Sequence, residues 1–107
     1  KTVVYAVVRT GGRHMSLEQQ RRHIIFGGRV QGVGFRYRSY YLARQYKLTG
    51  WVQNLWDGTV EMEVQGPEAL INKLIQGLAQ GSFIHITSMD TKRIPLEEDE
   101  RSFKMLN

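Results

Sequence analysis

Several residue types and patterns are missing from this 107-residue chain, and each absence excludes a class of protein. Because there is no cysteine, disulfides, thiolate nucleophiles, iron–sulfur clusters and cysteine-type zinc sites are all excluded. No apolar run approaches the roughly 20 residues that a membrane-spanning helix needs. With 41% hydrophobic and 23% charged residues, the composition is that of one globular domain, and disordered or fibrous chains are excluded.

Acidic residues are in the minority, and the imbalance is uneven along the chain. The formal net charge is +5, from 15 basic and 10 acidic residues. Lys1, Arg9 and Arg13 fall in the first fourteen residues, which carry no acid. Without them 12 basic residues face 10 acidic ones, so the remainder has too little excess charge to predict a nucleic-acid-binding surface.

The first residues read KTVVYAVVRTGGRHM and differ in character from the rest. We interpret residues 1–20 as an N-terminal extension and residues 1–14 as vector-derived, because Met15 with the following SLEQQ makes a plausible native start. The run Val3–Val8 is too short for a secretory signal core, but it is β-prone and able to add a strand to a free sheet edge.

Residues 21–107 show the periodicities of a small α+β domain. Alternation predicts strands, and apolar residues three and four apart predict two helices, the first with a buried stripe of Phe35, Ser39, Leu42, Ala43 and Tyr46. The predicted order begins with a short strand over His23–Phe26 that ends at Gly27-Gly28, followed by a helix from about Phe35 to Lys47 and hairpin strands Trp51–Asn54 and Thr59–Gln65. A second helix then starts at Gly66-Pro67-Glu68, and a strand within Phe83–Ile94 and a strand Ser102–Leu106 complete the order. This order is typical of a ferredoxin-like βαββαβ sandwich, an antiparallel sheet with two helices on one face. The alternation slips at Met89, which suggests a β-bulge there.

The turn between the first strand and the first helix is the first candidate site. Two glycines in Val30–Phe35 allow successive backbone N–H groups to point inward, beside the unsatisfied N–H groups of the helix start. Arg36 would add a guanidinium that matches two phosphate oxygens. The turn is therefore interpreted in one of two ways. It is either a phosphate cradle or a tight strand-to-helix connection whose glycines only provide the backbone angles that the turn needs.

Asn54, at the end of a strand, is the second candidate. Its amide oxygen is able to hold and orient a water molecule, and the topology would place it facing the cradle. The simpler alternative is a residue that only caps the following turn.

The other reactive side chains favour structural roles. The histidines, His14, His23 and His85, are scattered without metal-ligand spacing. The acidic run Glu97–Glu100 is interpreted as a solvated loop. Tyrosines at 37, 40, 41 and 46 of the first helix are able to stack on bases, but they fit core and rim positions better.

Two segments resemble the signatures of the acylphosphatase family. Residues 28–36 read GRVQGVGFR, similar to G-x-V-Q-G-V-x-F-R, and residues 50–54 read GWVQN, with GTV at 58–60 and a glycine at 66, similar to the second signature. The resemblance runs from about Arg22 to Leu106 and implies an α/β sandwich that hydrolyses acyl phosphates to a carboxylate and inorganic phosphate.

The resemblance also implies residue roles. Arg36 would bind the phosphoryl group together with backbone amides of the loop, and Asn54 would position the attacking water. The phosphate-binding residues would be Gln31, Gly32, Val33, Gly34, Phe35 and Arg36.

We expect no cofactor and no metal, an acyl phosphate as the small-molecule substrate, no nucleic-acid or membrane partner, a monomer and a cytoplasmic location. Two alternatives remain open. The first is a non-catalytic regulatory domain of the same family. The second is an RNA-binding module, which Glu61 and Glu63 on the wet face of the hairpin disfavour because they would repel phosphates.

Overall fold

The computed structural model describes residues 7–10, 13–16 and 18–107. Strands β1 (Val7–Thr10) and β2 (Arg13–Ser16) pair antiparallel as a separate two-stranded sheet. The β-prone run therefore does form a strand at its end, but its partner is the segment that follows it and not the main sheet. Residues 3–6 of that run lie outside the described residues.

The main domain contains two helices and a five-stranded sheet. The elements are β3 (Gln19–Arg29), α1 (Phe35–Gln45), β4 (Thr49–Asn54), β5 (Val60–Pro67), α2 (Glu68–Ala79), β6 (His85–Ile94) and β7 (Phe103–Met105). The strand order in the sheet is β6-β3-β5-β4-β7. The three pairs β6–β3, β3–β5 and β5–β4 are antiparallel as predicted. The fourth pair, β4–β7, is parallel, which makes the sheet mixed. The predicted ferredoxin-like α+β fold is confirmed.

The core fills the space between the sheet and the helices. In β5 the fully buried Val60, Met62 and Val64 alternate with the partly exposed Glu61 and Glu63, as the period-two pattern predicted. On α2, Ile71, Leu74 and Leu78 are buried. Burial of this apolar face is what holds the helices on the sheet.

The first helix is shorter than predicted. It ends at Gln45 instead of Lys47, because Lys47 takes a left-handed conformation with φ 57°. Of the predicted stripe, Phe35, Ser39 and Ala43 are buried, while Leu42 and Tyr46 are only half-buried at the edge of the helix.

The β-bulge exists, but not at Met89. Met89 pairs regularly with Phe26, and the register shifts between Gly27, opposite Ser88, and Gly28, opposite Ile86. The unpaired extra residue is therefore Thr87. The apparent slip at Met89 arises because β6 is an edge strand with exposed residues on both faces, so its side-chain pattern carries little information about register.

The acidic run is not simply solvated. Oε1 of Glu100 accepts a hydrogen bond from Nη1 of Arg21 at 2.6 Å, and the backbone N–H of Glu97 donates to Oε1 of Gln65 at 2.8 Å. Arg21 is almost completely buried, and its guanidinium needs this carboxylate. The run is thus attached to the sheet at both ends.

Candidate active site

The strand order places three chain segments at one edge of the sheet, namely the edge formed by the C-terminal ends of β3 and β4. β3 and β4 point the same way, so Arg29 and Asn54 end at the same edge, and β6, antiparallel to β3, begins there with His85 opposite Arg29. The loop 30–34 leaves this edge between the end of β4 on one side and the start of β6 on the other.

Buried residues fix both ends of that loop. Val30 and Phe35 are buried, and the ring of Phe35 packs on Phe26 with 4.9 Å between centroids. Between them Gly32 (φ 71°) and Gly34 (φ 80°) take left-handed conformations that favour glycine. Gly34 is the N-cap of α1, whose first helical hydrogen bond runs from Arg38 N–H to Gly34 O at 2.9 Å. The side chain of Phe35 therefore belongs to the core, and only its backbone faces the loop.

The backbone amides of the loop are not used by the fold. Among residues 18–107, none of the N–H groups from Gln31 to Arg36 donates a hydrogen bond to a backbone carbonyl or to a side chain. A helix N-terminus with free N–H groups attracts anions, because the helix dipole adds partial positive charge there. The segment is thus chemically suited to an oxyanion.

Arg36 lies in the first turn of α1 and is held by the last residues of the sequence. Its Nη1 donates to the backbone oxygen of Leu106 at 3.1 Å and to the backbone oxygen of Asn107, and it lies 3.2 Å from Oδ1 of Asn107. Within the part of the chain that is described, Nε and Nη2 of Arg36 donate no hydrogen bond. One edge of the planar guanidinium is therefore anchored, and the other edge is available.

Asn54 also forms hydrogen bonds with Asn107. Its backbone N–H donates to Oδ1 of Asn107 at 3.2 Å, and Nδ2 of Asn107 donates to Asn54 O at 3.0 Å. Nη1 of Arg36 and the backbone N–H of Asn54 therefore converge on a single side-chain oxygen, although 18 positions separate the two residues in the sequence. Oδ1 of Asn54 is buried and accepts no hydrogen bond within the described residues. The contribution of Asn107 could not be predicted from the motif.

Gln31 connects the loop to the β4–β5 hairpin through its side chain. Its Nε2 donates to Leu55 O at 2.6 Å and to Thr59 O at 2.8 Å. In the same turn, hydrogen bonds from the hydroxyl and backbone N–H of Thr59 lower the pKa of Asp57. The motif predicted only a backbone role for Gln31, and nothing else in the sequence indicates that its side chain tethers the loop to the hairpin.

The remaining candidates do not join this site. His23 lies in the middle of β3, with its Nε2 2.7 Å from Oε2 of Glu61, and this hydrogen bond lowers the pKa of Glu61. His85 is exposed at the start of β6, and His14 lies in β2, where only the backbone is described. Among the side chains that the structure describes, no group of three or more histidines and carboxylates is placed to hold a metal ion. No helix in the described residues is long and apolar enough to cross a membrane.

Comparison with known proteins identifies the family of this chain. The family profile named Acylphosphatase matches residues 22–105. The chain belongs to the acylphosphatase family. An acylphosphatase of Geobacillus thermodenitrificans is 41% identical over 88 residues, covering 81% of this chain and 94% of that protein.

Solved structures of acylphosphatases share the fold. The crystal structure of acylphosphatase from Bacillus subtilis superposes with a TM-score of 0.76 at 35% identity, covering 82% of this chain and 99% of that chain. Full-length HypF, solved in a phosphate- and nucleotide-bound form, matches with a TM-score of 0.73 at 27% identity. There the match covers 85% of this chain but only 12% of HypF, so a domain of similar fold also occurs inside a much longer chain.

Proposed function

We propose that this member of the acylphosphatase family hydrolyses acyl phosphates to a carboxylate and inorganic phosphate at the loop 31–36. The observation that supports the proposal is that the loop amides, which have no partner among residues 18–107, lie at the same edge of the sheet as Arg36 and Asn54, where Arg36 and the backbone of Asn54 both contact Asn107. The enzyme class is that of its family, acylphosphatase.

The phosphoryl group binds to the loop and to Arg36. Backbone N–H groups of Gln31–Arg36 donate to its equatorial oxygens, where negative charge spreads in the transition state. Nη1 of Arg36 is held by Leu106 and Asn107, so Nε and Nη2 form the edge that binds two phosphoryl oxygens in a bidentate manner. Because the donors are held before substrate arrives, they are not reorganised during the reaction.

Asn54 orients the attacking water. Its Oδ1 is an acceptor without a partner among the described residues, so it takes a hydrogen bond from water and directs the oxygen lone pair at phosphorus. Water attacks phosphorus as the bond to the acyl oxygen breaks, and the carboxylate leaves with the bonding electron pair. The carboxylate is a good leaving group that needs no general acid, and the water proton passes to a phosphoryl oxygen.

The other properties stay predictions from the sequence. We expect the protein to be a monomer that acts on a small-molecule acyl phosphate. We expect it to use no cofactor or metal and to bind neither nucleic acid nor a membrane. The cytoplasmic location rests on the absence of cysteine.

The deciding experiment is the hydrolysis of benzoyl phosphate by the purified protein, with and without a chelator such as EDTA. We expect turnover that the chelator leaves unchanged, because no proposed step uses a metal. Loss of turnover with EDTA would contradict the mechanism. The second candidate is a non-catalytic domain of the same family, because the match to 12% of HypF shows that a similar domain occurs as part of a longer chain. Inability to hydrolyse benzoyl phosphate would favour this candidate.

A further inference from the structure

A groove runs along the outer side of α1, directly beside the phosphate-binding loop. It has a volume of about 490 Å³ and lies between α1 and the segment 81–84 that precedes β6. Val33 and Gly34 of the loop form one end of it, and Tyr37, Tyr41 and Phe83 line its walls. The groove and the proposed phosphate site therefore share two residues.

The walls of the groove expose aromatic surface. Tyr37 and Tyr41, one helical turn apart on α1, are 61% and 64% exposed, and Phe83 across the groove is 73% exposed. Half of the large exposed hydrophobic side chains in the described part of the chain thus line one groove. Solvent-exposed aromatic rings that line a groove are typical of a surface that binds a ligand.

The charge of the lining restricts what binds there. Among the described residues, the lining contains one cation, Arg38, and no acid. Nε of Arg38 donates to Gly77 O at 2.7 Å, which holds this side chain against α2. The groove is therefore suited to an uncharged apolar body and offers no carboxylate to a cationic one.

The geometry of phosphoryl transfer selects this side of the loop for the leaving group. Attacking and leaving oxygens lie roughly in line on opposite sides of phosphorus. Asn54, which orients the water, is at the end of β4, whereas segment 81–84 leads into β6 on the other side of the loop. The acyl oxygen, and the acyl group attached to it, consequently point toward the groove.

We propose that this groove is the acyl-binding subsite and that it selects acyl phosphates whose acyl group carries an aromatic ring or a comparable uncharged apolar body. The proposal rests on the proposed function, since the phosphoryl group fixes where the acyl group lies. Tyr37, Tyr41 and Phe83 are specificity-determining residues that contact the acyl group and not the phosphoryl group.

The test compares benzoyl phosphate with acetyl phosphate, whose acyl group is too small to reach the rings. We expect the double variant Tyr37→Ala/Phe83→Ala to lower the ratio of kcat/KM for benzoyl over acetyl phosphate about tenfold, as expected for the loss of aromatic contacts. The inhibition constant of inorganic phosphate and the kinetics with acetyl phosphate stay unchanged. Met89→Ala, which removes an exposed apolar side chain of β6 outside the groove, leaves the ratio unaltered.

Three outcomes would overturn the proposal. One is an unchanged ratio in the double variant. Another is an equal loss on both substrates with weaker phosphate inhibition, which would mean that the rings only support the loop. The third is a dimer of the wild-type protein in sedimentation that the double variant dissociates, because a second copy of the chain would then occupy the groove.

Failure of the proposed function is separately visible. If the wild-type protein hydrolyses neither substrate, the hydrolysis proposal is wrong, and the groove is tested with phosphonates. Tighter binding of phenylphosphonate than of methylphosphonate, lost in the double variant, would retain the subsite as a binding site. Equal binding of the two would overturn it.

Discussion

At the scale of single residues, the side chain that matters most is the guanidinium of Arg36. The motif identified this residue, but not the way it is held. Its Nη1 is fixed by backbone oxygens of Leu106 and Asn107, which are 70 and 71 positions away in the sequence. Contacts over such separations depend on the folded topology and leave no local pattern, so they are not predictable from the sequence.

Replacement of Arg36 separates charge from geometry. We expect Arg36→Ala to lower kcat/KM for benzoyl phosphate about 1,000-fold, the upper range for loss of one transition-state donor. Arg36→Lys is expected to lie between alanine and wild type, because it keeps the charge without the bidentate edge. The matched control is Arg44→Ala, an exposed arginine in the last turn of the same helix. Activity of Arg36→Ala within threefold of wild type would refute the role.

Asn54 is expected to affect turnover more than binding. Asn54→Ala removes the oxygen that orients water, so kcat should fall about 100-fold while the inhibition constant of inorganic phosphate changes little. Asn72→Ala, on the exposed side of α2, is the control. If the substitution raised KM and left kcat at the wild-type value, Asn54 would be a substrate-binding residue instead.

At the scale of elements, the sequence was most informative where periodicity is strong. The start of α1, the hairpin around Asp57-Gly58 and the alternation in β5 were predicted correctly. The bulge opposite Gly27 and Gly28 was misplaced because an edge strand lacks a buried face that would fix its pattern. The hydrogen bonds that connect the loop to the hairpin through the side chain of Gln31 were likewise not predictable from the hydrophobic periodicity.

The Gln31 tether predicts coupling between loop and hairpin. Gln31→Met keeps the side-chain length and removes both donated hydrogen bonds, so the amides and Asn54 lose their relative alignment. We expect kcat/KM to fall about tenfold, as a small misalignment of reacting groups would cause. Gln53→Met is the matched control, because Nε2 of Gln53 donates to Glu61 and not to the loop or its hairpin turn. Equal activities of the two variants would contradict the tether.

At the scale of the whole molecule, the distribution of charge differs from what composition suggested. Arg21 is 1% exposed, and its Nε and Nη1 donate to Glu63 at 2.8 Å and Glu100 at 2.6 Å. Burial acts to lower the pKa of Arg21, but the hydrogen bonds with Glu100 and Glu63 outweigh it and raise the pKa overall. Glu63 and the acidic run are therefore not simply exposed charge, because Arg21 of β3 links Glu63 and Glu100 in one network of ion pairs.

Loss of that buried cation should destabilise the fold. Arg21→Met leaves two carboxylates without their partner, and we expect the free energy of unfolding to fall by about 3 kcal/mol. Arg22→Met removes a more exposed pair with Glu68 and should cost less than about 1 kcal/mol. Urea unfolding followed by tryptophan fluorescence measures both, and a loss no larger for Arg21 than for Arg22 would show that the network is not stabilising.

Acid should weaken the fold through Glu61. The hydrogen bond with His23 lowers the pKa of Glu61 in the folded state. Such a group contributes stability above its unfolded pKa of about 4.3 and loses it as the pH falls through the lower folded value. Urea unfolding at several pH values should therefore show a smaller acid-induced loss for Glu61→Gln than for wild type, by less than about 1 kcal/mol because the pair is partly exposed. Identical pH profiles would contradict this.

Titration of the isotope-labelled protein with inorganic phosphate shows directly whether the loop amides and Arg36 hold the phosphoryl group. We predict that the amide resonances of Gln31–Arg36 and the Arg36 Nε–H resonance shift together and saturate with one dissociation constant. Saturating shifts confined to another part of the surface, with the loop resonances unmoved, would contradict the account.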